Sequence, residues 1–105
     1  MICINGSTNI KLTGFDFYGC NRWQVYTLNS NKVTIDNCNF YRAHIAAIGG
    51  YNNFNYLVQG NNIYNSSDNG ILSVFDNNAT YSDNTILSSG LEDGYGGDRN
   101  GWHLS

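Results

Sequence analysis

The sequence predicts an all-β solenoid, wound into about four stacked rungs of 23 residues with short strands joined by tight turns. Three observations carry this. Phe17, Phe40, Ile63 and Ile86 stand 23 residues apart, and other apolar columns keep step with them. Turn-formers dominate the 105 residues, with 18 Asn, 12 Gly and no Pro. No stretch shows the apolar face of a helix of ten or more residues. A fixed period of about 20–50 residues marks a repeat architecture, in which each unit buries its apolar side against the next.

The columns define the elements. Five residues before each anchor come Leu12, Ile35, Val58 and Tyr81, and seven before come Ile10, Val33, Tyr56 and Ala79. Alternate apolar positions are the pattern of a strand with one face buried, so these columns predict one strand per rung. The anchors lie in a second strand, typified by Asn39-Phe40-Tyr41 and Asn62-Ile63-Tyr64. Eight residues after the first three anchors come Val25, Ile48 and Ile71, with Ile2 in the same column, which predicts a third strand. Gly14, Asn37, Gly60 and Asp83 fall three residues before each anchor, where the chain must turn. Three strands in 23 residues make one rung of a parallel coil, and rungs stack about 4.8 Å apart. Each residue then lies over its counterpart 23 positions on, so Asn side chains can hydrogen-bond from rung to rung.

Other β folds fit less well. A propeller blade needs about 40 residues or more. Asn-Gly and Asp-Gly are poorly placed for the hairpins of a sandwich, and no six-residue repeat is present for a hexapeptide coil.

The pattern resembles the right-handed parallel β-helix of pectin-lyase-like proteins. The carrying residues are V-T-I-D-N-C-N-F-Y (33–41), Y-L-V-Q-G-N-N-I-Y-N-S-S-D-N-G-I (56–71) and Y-S-D-N-T-I (81–86). The regular rungs span about 2–91, a Gly-rich irregular loop occupies 92–101, and a new rung begins at Trp102-His103-Leu104. Neither end carries a polar capping unit, so residues 1–105 read as a β-helix segment whose neighbours are further rungs of a longer chain.

Composition narrows the partners. The net charge is −3, from 5 Lys and Arg against 8 Asp and Glu, and no basic patch is present, which argues against nucleic acid. No apolar run approaches the length of a membrane span, and Met1-Ile2-Cys3-Ile4 lacks the charged lead of a signal peptide. Cys3, Cys20 and Cys38 share no column and form no C-x-x-C pair, so they are expected as buried free thiols. A metal site is not expected. No cofactor is implied either, and no Asp-rich nonapeptide supports bound calcium. The sequons at Asn5, Asn65 and Asn78 are what an Asn-rich chain contains by chance.

The resemblance implies a secreted or cell-surface protein, microbial in origin, acting on polysaccharide as a hydrolase or lyase, with substrate in a groove outside the parallel sheet. Glycoside hydrolysis needs two carboxyl groups about 5–9.5 Å apart. Asp68 and Glu92 are 24 residues apart, nearly one rung, and Asp93 lies one column on, so these three are the candidate acid and base. Asp98, Arg99 and His103 follow in the loop that breaks the repeat, where a rigid scaffold tends to place function. The plainer reading makes Asp68 an Asx turn and Glu92-Asp93 a solvated loop.

Tyr18, Tyr41 and Tyr64 form the second candidate, a column that can offer aromatic surface to sugar if it points outward, with Trp23 and Trp102 as further platforms. Its plainer reading is a structural stack. His44 reads as a hydrogen-bonded corner residue, and Arg22 and Arg42 as isolated surface charges. Lys11 and Lys32 lie far from any carboxylate cluster, which disfavours a lyase base here. The alternative to an enzyme is a non-catalytic adhesin, stalk or glycan-binding solenoid.

Overall fold

The computed structural model describes residues 2–19, 22–66 and 69–87, with the backbone of 102–104. β1 (Ile2–Asn5), β2 (Thr8–Thr13) and β3 (Asp16–Tyr18) form the first rung. β4 (Trp23–Leu28), β5 (Asn31–Asp36) and β6 (Asn39–Tyr41) form the second. β7 (Ala46–Tyr51), β8 (Leu57–Gln59) and β9 (Asn62–Tyr64) form the third, and β10 (Asn69–Val74), β11 (Thr80–Ser82) and β12 (Thr85–Leu87) the fourth. β13 (Trp102–Leu104) opens the next rung. The strands stack into three sheets in the orders β1-β4-β7-β10-β13, β2-β5-β8-β11 and β3-β6-β9-β12. Every pairing is parallel.

The register follows the period. Ile2 pairs with Val25, Val25 with Ile48 and Ile48 with Ile71, each a step of 23. The next step is longer: Ile71 pairs with Trp102, a step of 31. The extra chain lies within 88–101, which the sequence marks as irregular and which is outside the described residues.

The predicted columns are the core. Val25, Ile48, Ile35, Val58, Phe40 and Ile63 are fully buried. Phe17 stacks on Phe40 with ring centroids 5.0 Å apart. Tyr56 is larger than Val33, its partner one rung earlier, and the coil makes room opposite. A Cβ on Gly50 would lie 2.9 Å from Tyr56 Cε2 and 2.5 Å from Asp76 Oδ2, so position 50 excludes any side chain.

The turns follow the same register. Every described residue with positive φ falls in one of four columns: 6-29-52-75, 9-32-55-78, 14-37-60-83 and 19-42-65. Left-handed backbone suits Gly and Asn, and these supply most of the positions. Phe75, at φ +56°, is the bulky exception and stores strain of about 1–3 kcal/mol.

Beside these turns, interior Asn side chains tie the rungs together. The Cys38 N–H donates to Asn61 Oδ1 at 3.0 Å, and Asn61 Nδ2 donates to the Ile35 carbonyl at 3.0 Å. One rung on, Asn61 N–H donates to Asn84 Oδ1 at 3.1 Å and Asn84 Nδ2 to the Val58 carbonyl at 3.0 Å. A second column repeats the arrangement at Ser30 and Asn53, then ends on Asp76, which accepts from Asn53 N–H and Nδ2 at 2.9 Å each. A carboxylate cannot donate to the rung below. Asp76 instead accepts from the Ser73 and Tyr81 hydroxyls.

Burial pushes the phenols of Tyr56 and Tyr81 well above the ordinary tyrosine range. The unfolded chain ionises its tyrosines near pH 10 while the folded chain keeps these two protonated, so their stabilisation is complete below about pH 10 and is lost as pH rises above it. In an alkaline titration these two of the 8 tyrosines are expected to ionise only as the β-sheet circular dichroism collapses. Titration of all of them near pH 10 with the sheet signal intact would contradict this.

Three expectations need correction. Cys38 is a buried free thiol, but Cys3 is exposed, because it alternates with Ile4 along β1 and takes the outward side. Lys11 is not remote from acid: its Nζ lies 3.7 Å from Asp36 Oδ2, one rung away across β2 and β5. Arg22 is not isolated, since its guanidinium carbon sits 4.8 Å from the centroid of the Trp23 ring.

Candidate functional site

Asp68, Glu92, Asp93, Asp98 and Arg99 all lie outside the described residues. His103 is described by its backbone alone: it pairs with Leu72, in the register column of Cys3, Tyr26 and Gly49. Trp102, read from sequence as an exterior platform, takes the register position of Ile71, Ile48 and Val25, a column of core residues.

The described carboxylates serve the scaffold. Asp16 accepts from Asn39 Nδ2 at 2.8 Å, Asp36 faces Lys11, and Asp76 closes the interior column. Asp83 occupies a left-handed turn at φ +55°. Among the described residues no group of three acidic, His or Cys side chains could hold a metal ion, and the surface has no enclosed pocket. What these residues offer a ligand is an open, repeating face.

That face is the outside of the third sheet. β3, β6 and β9 are three residues long with only the middle side chain inward, so residues one and three face out. The third position gives Tyr18, Tyr41 and Tyr64. Tyr18 and Tyr41 stack with centroids 4.9 Å apart and planes 5° apart; Tyr41 and Tyr64 stack at 5.2 Å and 15°. The first position gives Asp16, Asn39 and Asn62, joined by amide hydrogen bonds of 2.8 Å and 3.0 Å. An aromatic row and an amide row therefore run side by side along the coil. Tyr41 is sandwiched between two rings, so it presents its edge and hydroxyl outward, where a flat open face was expected. Tyr18 is 69% exposed, far more than a packing role requires.

The outer face of the first sheet carries a second cluster. Trp23 stacks on Tyr26 at 4.3 Å, with Arg22 against the Trp23 ring. Both rings lean over the next rung at Gly49, where a Cβ would come within 2.7 Å of Trp23 and 2.8 Å of Tyr26. The glycine is required by this close approach. Tyr26 is pushed above its ordinary range chiefly by burial, with the Cys3 thiol adding to it.

Sequence reasoning missed the corner between the first and second sheets, where Tyr51, Phe54 and Phe75 are 41%, 51% and 63% exposed. The signal was available: Phe75 breaks a column otherwise filled by Gly6, Asn29 and Asn52.

A family model described as right handed beta helix region matches residues 1–101. The chain belongs to the right-handed beta helix family. The match covers nearly the whole chain and gives the coil its hand, which the strand pairing alone leaves open. Neither the curated proteins nor the solved structures compared contain a match to the chain. The right-handed beta helix is therefore what similarity establishes, and the ligand must be argued from the surface.

Proposed function

We propose that this right-handed beta helix is a glycan-recognising stretch of a secreted or cell-surface microbial protein, binding a polysaccharide chain along the outside of the third sheet. The observation that carries the reading is the pairing of two rows on one face: stacked Tyr18, Tyr41 and Tyr64 beside laddered Asp16, Asn39 and Asn62. A linear polymer repeats its chemistry along its length, and this surface repeats with every rung. Phenol edges supply apolar contact and hydroxyls, while amides and a carboxylate supply donors and acceptors for sugar hydroxyls. The low charge of the face suits neutral sugars better than polyanions.

The test is affinity electrophoresis of the purified protein in gels containing soluble polysaccharides. Tyr41→Ala is expected to weaken binding about tenfold, of the order an aromatic contact supplies, and to leave the fold intact because the residue faces out. Retention unchanged in both Tyr41→Ala and Tyr64→Ala would remove the third sheet from the binding surface.

A catalytic reading has one observation in its favour. The lengthened step between β10 and β13 places Glu92 and Asp93 in a segment that departs from the repeat, after Asp68 at the start of β10. On that reading the protein cuts polysaccharide. Saturated product ends would fit a paired-carboxylate hydrolase, with Asp68→Asn and Glu92→Gln abolishing turnover. Unsaturated ends would fit a lyase.

A further inference from the structure

We propose that Phe75, Tyr51 and Asn52 form a second saccharide-binding subsite, on the corner between the first and second sheets. It takes its ligand class, a neutral glycan, from the function proposed above, but not its location or its residues.

Two independent features of Phe75 point outward. Its backbone sits at φ +56° in a column whose other members are Gly6, Asn29 and Asn52, residues suited to that conformation. Its side chain is 63% exposed, so burial does not repay the strain. A bulky side chain held in a disfavoured conformation and left in solvent marks a site whose requirement is a ligand, not a packed core.

The neighbours supply the rest. Tyr51, itself 41% exposed, meets Phe75 edge to face with centroids 5.9 Å apart and planes 75° apart. Two rings at that angle form a shallow corner, which matches the C–H face of a pyranose better than a flat stack does. Asn52 donates through Nδ2 to Asn29 Oδ1 at 2.8 Å, which commits its amide N–H to the rung below. Its Oδ1 then serves the rung above, where an Asn would donate to it. Position 75 holds Phe, which has no donor. The amide column thus ends on an acceptor beside two exposed rings, a combination that takes a sugar hydroxyl and the adjoining C–H face together.

The test compares the full protein with Phe75→Asn and Tyr41→Ala, titrated with cellohexaose, xylohexaose and mannohexaose and read by calorimetry and thermal unfolding. Phe75→Asn restores the residue the column favours and completes the amide ladder. Its melting temperature is expected to rise by roughly 4–8 °C, while affinity falls about tenfold. A stabilised variant that binds as well as the parent overturns the subsite, as does a destabilised variant with unchanged affinity, which would assign Phe75 to packing. Affinity lost in Tyr41→Ala but kept in Phe75→Asn sinks the corner and leaves the third-sheet reading standing. The reverse result keeps the corner and sinks the third sheet. Absence of binding to all three sugars removes both.

Discussion

Asn61→Ala is expected to destabilise the protein by about 2–6 kcal/mol, at roughly 1–3 kcal/mol for each buried polar group left without its partner. The two groups are the Cys38 N–H and the Ile35 carbonyl, which Asn61 satisfies through Oδ1 and Nδ2. Asn61 is itself fully buried, so water does not readily replace it. The loss comes from polar groups and not from volume, and Asn61→Leu separates the two: it fills the space and leaves both groups unpaired. Urea unfolding is expected to show both variants well below the parent. A leucine variant as stable as the parent would show that the interior amide merely occupies space.

Phe40→Ala is expected to cost about 3–5 kcal/mol, the range for removing a fully buried aromatic side chain. Phe40 is 0% exposed and stacks on Phe17, so truncation opens a cavity spanning two rungs. Its neighbour Tyr41 stands on the opposite face of the same strand, β6. Comparing Phe40→Ala with Tyr41→Ala by denaturant midpoint therefore tests the inside-outside assignment directly. A large loss is expected at position 40 and a small one at 41. Equal midpoints for the two would mean that the third sheet has no distinct core face.

Together with the corner formed by Phe75, these variants separate the coil's scaffold from its surface. Asn61 and Phe40 hold rungs together and face in. Tyr41 and Phe75 contribute little to that and face out. A solenoid can vary its exterior columns freely because each rung depends mainly on its neighbours through the interior ones. Exposed aromatics among Asn turns are then features of function and not of folding.

Much of the fold was legible in the residues. The step from Phe17 to Phe40 to Ile63 fixed the period, and Val25, Ile48 and Ile71 fixed the third strand. Gly14, Asn37, Gly60 and Asp83 were read as turns, and all four have positive φ. The candidate site was legible only in part. The Tyr column was predicted and does face out, but its stacked geometry turns the rings on one another. The Phe75 corner was overlooked because attention fell on columns that repeat, and Phe75 matters because it fails to repeat.

The sequence by itself determined the rung length, the parallel stacking and the core columns, because residues one period apart touch and must match in character. That constraint is local to each column and survives in a one-dimensional reading. The tertiary structure alone decided which amides turn inward: Asn53 and Asn61 are buried while Asn52 and Asn62 are not, although each pair is adjacent in sequence. It alone matched Tyr56 to the missing side chain of Gly50, laid Trp23 and Tyr26 over Gly49, and set Lys11 beside Asp36. Several of these contacts cross the coil or join different columns, so their spacing is not the period. They depend on how the rung bends at each corner, which is set by backbone angles and packing together.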